Sequence, residues 1–370
     1  MPKKDHHEKA YDDGTILKLE IFERYVEAWL PTFIMQKNVS EINIVDFFAG
    51  PGYDIEGKEG SPIRILKKID SFFGFLQKNN TKINFYLNEF DNQKFESLQG
   101  NCNEYLEKNK RIKKFVNFEY SNKDFDVIFE EIIEKTKYKS SLYIIDQCGV
   151  KFTNQENFSK LEKLNQTDFL FFISSSFFKR FNTQDAAKKH LEINAEALKK
   201  NPYNFIHRSV LETYRSLIPE KSRLKIYPFS IKKGANIYGI IFGSKHPVGV
   251  EKFLRIAWDK NKINGEADYD IDEDAKKSQM EMDFIKGRTI KKLTKVEKFE
   301  IKLRRYIKLK EVVTNKVLYH ETINQGHIPL HTRECLKRLK QQKKIEFSGH
   351  SCISWNAIKD GKKVEFKWIK

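Results

Sequence analysis

Short apolar runs alternate with amphipathic stretches between residues 40 and 245, and this alternation restricts the possible fold more than any other feature. The runs are Ile42–Phe48, Ile83–Leu87, Phe115–Tyr120, Leu142–Ile145 and Phe169–Ser174. Helical periodicity fills 61–78, 91–108, 123–137 and 154–165 between them. Strand, helix, strand, helix predicts an open parallel α/β sheet with helices on both faces. Helices at 184–200 and 204–217 follow, and then two strands, Leu224–Ile231 and Ile237–Phe242. Only Lys232-Lys233-Gly234-Ala235-Asn236 separates these last two, so they are expected to close the sheet as an antiparallel pair. The fold class is therefore α/β, with a mostly parallel, Rossmann-like sheet of seven strands over about residues 40–245. Ahead of it, Leu19, Phe22, Tyr25, Val26 and Trp29 recur at helical spacing, predicting an amphipathic helix that ends before Pro31.

Charge divides the chain more sharply than hydropathy does. Between Lys286 and Lys370 there are 23 Lys and Arg against 8 Asp and Glu, a net +15 that leaves only +2 for the other 285 residues. A basic footprint this localised suits a polyanionic partner. The same region reads as a Lys-rich helix (291–310), a helix within 312–326, a glycine turn, a second helix within 327–344, and a short wing around Ser348-Gly349. That is the pattern of a winged helix-turn-helix. Val317, Leu318 and Ile323 are expected to face Leu336 and Leu339 in its small core. Arg333, Lys337, Arg338 and Lys340 are expected on the exposed side of the second helix, and Pro329 to Thr332 at its base-reading start. The expected organisation is a helical segment (1–40), the sheet domain (41–260), an acidic loop and linker (261–295) and the winged helix (296–370). NGEADYDIDED (264–274) lacks the glycine and glutamate spacing of a calcium loop and reads as solvated loop, so no metal is expected.

Four scattered cysteines, with no Cys-x-x-Cys pair, argue against a disulfide scaffold or zinc finger. No apolar stretch of membrane-spanning length occurs, and the polar start MPKKDHHEKAYDDG has no apolar signal segment, so a cytoplasmic protein is expected.

Three clusters fall at the carboxyl ends of predicted strands, where open α/β sheets bind ligands. The first is Asp46-Phe47-Phe48-Ala49-Gly50-Pro51-Gly52, whose glycines let the backbone approach a ligand closely. No Gly-Lys-Ser/Thr follows, which excludes a P-loop. The second is Glu89, a carboxylate with two oxygens for the two hydroxyls of a ribose. The third is Asp146-Gln147-Cys148-Gly149, at the strand end where a class I methyltransferase meets its acceptor. Together they predict a nucleoside cofactor across the strand ends. The short glycine spacing and the hairpin-like end of the sheet suit S-adenosylmethionine better than NAD.

The sequence resembles the three-Cys-motif partner (TcmP) proteins over most of its length. The resemblance rests on Thr15-Ile16-Leu17-Lys18 with Tyr25 and Ala28-Trp29-Leu30, on DFFAGPG (46–52) and on Gly60-Ser61-Pro62. It continues through Asn88-Glu89, Ile145-Asp146-Gln147-Cys148-Gly149 and the run from Phe253 to Trp258. The resemblance implies a class I methyltransferase fold with a C-terminal winged-helix-like part, and a three-cysteine, radical-SAM-like partner. One departure bears on catalysis. Members of the family commonly carry Asp-Pro-aromatic-Gly where this chain has Asp146-Gln147-Cys148-Gly149. A stacking ring for a flipped base would then come from Phe152, Phe177 or Phe178.

The expected cofactor residues are Asp46, Ala49, Gly50, Pro51, Gly52 and Glu89, the expected catalytic residues Asp146 and Gln147, with Lys18 and Arg64 as electrostatic contacts near the site. The expected activity is S-adenosylmethionine-dependent modification of nucleic acid, DNA ahead of RNA. The alternative is a non-catalytic nucleic-acid-binding or scaffold subunit that keeps the methyltransferase fold.

Overall fold

The structure, a computed structural model, describes residues 10–147, 151–174, 206–234, 236–274, 281–283, 288–290 and 293–369. It divides into two compact units, residues 1–245 and 246–370.

The first unit is built on β1 (Glu41–Asp46), β2 (Lys82–Asn88), β3 (Val116–Ser121), β4 (Ser141–Ile145), β5 (Thr167–Ser174), β6 (Lys225–Lys233) and β7 (Asn236–Ser244). These form one seven-stranded sheet in the order β3-β2-β1-β4-β5-β7-β6. The first five strands are parallel, and β7 pairs antiparallel with β5 and β6. Order and strand sense are those of a class I methyltransferase sheet, as expected. Every residue of β4 is buried, so its Ser-Leu-Tyr-Ile-Ile sequence faces protein on both sides. One face carries helices Phe125–Thr136, Gln155–Lys163 and Ile206–Ser216, which enclose Phe47, Tyr143, Phe158, Phe169, Phe171 and Tyr214. Burying each of these rings removes enough apolar surface to contribute about 1.5–3 kcal/mol. The helix expected at 184–200 lies outside the described residues.

The N-terminal helix α1 (Asp13–Ile34) buries Phe22, Tyr25, Val26, Trp29 and Leu30 and packs on α2 (Ser61–Ser71). It runs through Pro31 rather than stopping before it. A proline interrupts only its own N–H bond and crowds one carbonyl. Here Leu30 and Ile34 are fully buried, and Trp29 packs on Phe33 at 4.7 Å between ring centres, so packing carries the helix one turn further.

The second unit begins with a helix, Pro247–Lys260, that the sequence pattern alone groups with the sheet. Glu251 of that helix accepts the Tyr319 hydroxyl at 2.7 Å, and the Trp258 indole donates to the Gly326 carbonyl at 2.9 Å. Helices Lys295–Lys310, Asn315–Asn324 and Pro329–Gln341 follow. A three-stranded sheet, ordered Val312–Thr314, Glu365–Trp368, Ile345–Glu346, completes a winged helix-turn-helix. Its first helix opens with a capping box, Thr294 and Glu297 each bonding the other's backbone N–H. Leu318, Ile323, Leu336 and Leu339 form the core as expected, but Val317 is exposed and takes no part.

The acidic stretch is only in part a solvated loop: Asp268 and Glu273 are exposed. Asn264, Glu266 and Asp274 are buried. Lys295 donates to Glu266 at 2.8 Å from its ammonium and to Asp274 at 2.7 Å from its backbone N–H. The Asn261 carboxamide bonds the carbonyls of Ala267 and Tyr269. Counterion and amide partners remove the solvation cost that the acidic composition implies.

Candidate functional site

Because β1, β2 and β4 are parallel neighbours, the turns at residues 46, 89 and 146 lie along one edge of the sheet. The chain leaving β1 is held on both sides, by Phe47 N–H to the Ile144 carbonyl at 3.1 Å and Ala49 N–H to the Asn88 carbonyl at 3.0 Å. Gly50 and Gly52 then adopt φ of +63° and +94°, a region that side-chain-bearing residues enter only with strain. Pro51 between them presents its carbonyl to the Asn101 carboxamide at 2.7 Å. Gly60 closes the loop through an N–H bond to the Gly52 carbonyl at 2.8 Å. A Cβ at Gly60 would stand 3.1 Å from both the Gly52 oxygen and the Tyr11 hydroxyl, which explains a glycine in the Gly-Ser-Pro triplet.

Glu89 is half-buried and tied to this loop. One carboxylate oxygen accepts the Gly50 N–H at 3.0 Å, and the other the Asp91 N–H at 2.9 Å. An ionised carboxylate offers about four acceptor positions, so roughly two remain for a vicinal diol. Asn88 beside it braces the β1 and β3 loops, donating to the Phe47 and Lys123 carbonyls and accepting the Lys123 N–H.

Asp46 is turned into the protein. It is fully buried, accepts the Ser61 hydroxyl at 2.5 Å and the Phe48 N–H at 3.2 Å, and so fastens the start of α2 to the end of β1. Burial pushes its carboxyl up to about 7 against the Ser61 bond; Asp146 adds to the rise and Lys18 opposes it. Tyr11 lies among the same charges. Burial, with the carboxylates of Asp54 and Asp146, keeps its phenol protonated well above the ordinary range.

At the end of β4, Asp146 forms an ion pair with Lys18 of α1 at 2.5 Å, the two side chains 15% and 13% exposed. The Lys18 ammonium also sits 4.7 Å from the centre of the Phe172 ring. Gln147 is buried, and both ends of its carboxamide are engaged: it donates to the Thr153 hydroxyl at 2.6 Å and accepts the Phe152 N–H at 2.8 Å. It thereby shapes the loop after β4. Phe152 is packed against Phe48 and Phe125, at 5.4 and 4.8 Å between ring centres. Cys148, Gly149, Phe177 and Phe178 lie outside the described residues. Arg64 is paired with Glu23 at 2.8 Å and bonds the Glu59 carbonyl.

The second unit carries the other set of expected residues. Arg333, Lys337, Arg338 and Lys340 are all exposed on helix Pro329–Gln341. Arg338 is paired with Glu300, and Lys340 donates to the Phe347 carbonyl at 3.0 Å and covers its ring at 4.2 Å. Arg333 and Lys337 have no ion pair among the described residues. The start of the helix is buried, against expectation: Pro329, His331 and Thr332 are enclosed, and Leu330 alone of the four is exposed. Thr332 and Thr322 share a hydroxyl bond of 2.5 Å, and the Nδ1 atoms of His327 and His331 are 3.0 Å apart. Burial, with Lys295 nearby, lowers His331 to about 4 and His327 further. Sequence reasoning misses a second exposed basic row, Lys298, Lys302 and Arg305 on helix Lys295–Lys310, although its spacing of four and three residues marks one helix face.

Residues 268–350 match the family model described as the GMT-like wHTH domain, a match that begins inside the acidic stretch. No curated protein matches the sequence. Among solved structures, the chain is similar to the DszA carbon methyltransferase, at 11% identity and a TM-score of 0.35 over 64% of this chain and 56% of that one. It is also similar to the METTL16 methyltransferase domain, at 11% identity and a TM-score of 0.31 over 60% and 66% of the two chains. The N-terminal domain of human METTL16 in complex with SAH shows 10% identity and a TM-score of 0.31 over 64% and 72%. The chain thus spans little more than half the length of the DszA structure. Among the described residues, no helix is long and apolar enough to cross a membrane.

Proposed function

We propose that the first unit binds S-adenosylmethionine along the β1, β2 and β4 strand ends, and that the protein modifies nucleic acid held by its winged helix. The observation that carries this reading is the bond from Gly50 N–H to Glu89, which sets a glycine loop and a carboxylate with spare acceptor capacity side by side. This donor set fits the group. Gly50, Pro51 and Gly52 would lie along it, Glu89 would take the ribose hydroxyls, and Asp46 would keep the loop in place from beneath. When bound, S-adenosylmethionine supplies an electrophilic methyl group. Asp146 and Lys18 would meet the acceptor. Calorimetric titration of the full chain with S-adenosylmethionine tests the reading, and a titration with no binding heat would refute it.

A second reading, a non-catalytic nucleic-acid-binding subunit, is favoured by one observation. Gln147 is spent on Thr153 and Phe152, and the Asp146 carboxylate is already paired. Under that reading the cofactor binds but no methyl reaches nucleic acid. The resemblance to the TcmP proteins adds a three-cysteine, radical-SAM-like protein as the partner to test by co-purification. The cytoplasm is the proposed compartment.

A further inference from the structure

The ion pair at the end of β4 carries information about the acceptor. Lys18 reaches Asp146 from a different part of the chain, α1, at 2.5 Å, and both side chains are largely buried. One side of the ammonium is covered by the Phe172 ring at 4.7 Å, which keeps water from that face. An ammonium has three N–H donors, and the described residues account for one of them, on Asp146 Oδ2. They supply no donor to Asp146 Oδ1.

An exocyclic amine is poorly matched to this pair. Its two N–H groups need acceptors, and the ammonium would set donors against them. The Gln147 carboxamide does not make up the difference, since it is buried and each of its ends already holds a protein partner. A hydroxyl is matched at both atoms. Its oxygen accepts a Lys18 N–H while its O–H donates to Asp146, and each bond involves a charged partner and is correspondingly strong.

We infer that Lys18 and Asp146 together recognise a hydroxyl on the acceptor, and that in a nucleic acid this hydroxyl is the ribose 2′-OH. The inference rests on the reading of this edge as the acceptor side. It turns the expected preference for DNA into one for RNA, because DNA lacks the group that both residues contact.

The test compares three single strands of one sequence, RNA, DNA and 2′-O-methyl RNA, by fluorescence anisotropy with the full chain. All three carry the same phosphate charge, and 2′-O-methyl RNA keeps the sugar shape of RNA, so a loss shared by DNA and 2′-O-methyl RNA reports the hydroxyl. A hydrogen bond to a charged group is worth about 1.5–3 kcal/mol, so RNA should bind at least about tenfold more tightly than either relative. Lys18→Met and, separately, Asp146→Asn should each bring that ratio close to one, with S-adenosylmethionine affinity within about twofold of wild type. If Lys18→Met fails to fold, Asp146→Asn, which keeps the side-chain shape, carries the comparison. Equal affinity for the three strands in the wild type, or an unchanged ratio in Asp146→Asn, overturns the inference. Digestion of RNA labelled from tritiated S-adenosylmethionine gives a second readout: 2′-O-methyl nucleosides support the inference, and a methylated base contradicts it. Absence of cofactor binding would instead remove the reading of the fold's ligand while leaving the measured preference for RNA in place.

Discussion

At the strand edge of the first unit the charged groups are buried or half-buried and each has a protein partner; on helix Pro329–Gln341 of the second they are exposed, and two of them have no ion pair among the described residues. Asp46, Asp146 and Glu89 each have a donor from the protein, and Lys18 has a carboxylate. Arg333 and Lys337 face solvent. A desolvated set with a few donors and acceptors left over discriminates by geometry, because an ill-matched ligand leaves such a group without a partner. An exposed cationic set discriminates little and gains by releasing counterions from a polyanion. On the proposed function, the same chemical groups serve a small ligand in one unit and a long one in the other.

One buried group in each unit should also respond to pH, and with opposite signs. Asp46 has a folded-state value of about 7, above its ordinary 3.8, so its contribution is fully present below about pH 4 and is lost as pH rises through 7. That span of roughly three pH units corresponds to about 4 kcal/mol. His331 has a folded value of about 4, below its ordinary 6.5, so its contribution is present above pH 6.5 and is lost as pH falls toward 4. Asp46→Asn should therefore abolish most of the stability lost between pH 4 and 7 in the first unit and leave the acid-side loss of the second untouched. Calorimetric melting across that range checks it, and an unchanged pH profile in the variant would show that Asp46 is not the group responsible.

Charge reversal sharpens the contrast on the other side. Arg333→Glu with Lys337→Glu should weaken binding to unrelated nucleic acids. It should also flatten the slope of log affinity against log salt by about two units, one for each phosphate that is no longer neutralised. Arg338→Ala and Lys340→Ala should each do less, since Glu300 and Phe347 already hold them. Affinity for S-adenosylmethionine should not change. A flat salt response in the wild type would assign the winged helix to a protein partner instead.

A smaller effect separates loop geometry from charge. Gly52→Val forces a β-branched residue to φ +94° and brings its Cβ to 3.4 Å from that of Asn101. The strain of about 1–3 kcal/mol should appear as weaker cofactor binding with nucleic-acid affinity intact. If both affinities fall together, the loop serves the stability of the whole unit rather than the ligand.

The sheet is legible in the sequence because its strands are buried runs and its helices amphipathic, and both periods are local. So are the glycine loop and Glu89, since turn chemistry and a strand-end carboxylate are read from neighbouring residues. What cannot be read depends on contacts across the chain. Lys18 stands 128 positions from Asp146, and only the packing of α1 brings its ammonium to that carboxylate. Gln147 has the chemistry of an acceptor contact, yet Thr153 and Phe152 occupy both its ends. The acidic stretch reads as solvated because Lys295, its counterion, lies 29 residues beyond Glu266. Pro329 to Thr332 resembles a base-reading surface because helix starts often are one; burial of His331 and Thr332 decides otherwise.

The central claim is that Glu89 and the loop it braces hold a nucleoside cofactor, and titration calorimetry of S-adenosylmethionine into the wild type and Glu89→Gln tests it most directly. Glutamine keeps the length of the side chain but replaces an acceptor oxygen with an amide that must face either Gly50 N–H or Asp91 N–H. Losing one charge-assisted hydrogen bond costs about 1.5–3 kcal/mol, so affinity should fall by at least about tenfold while the fold stays intact. Saturable binding in the wild type with that loss in the variant is the predicted result; equal affinities, or no binding by the wild type, would contradict it.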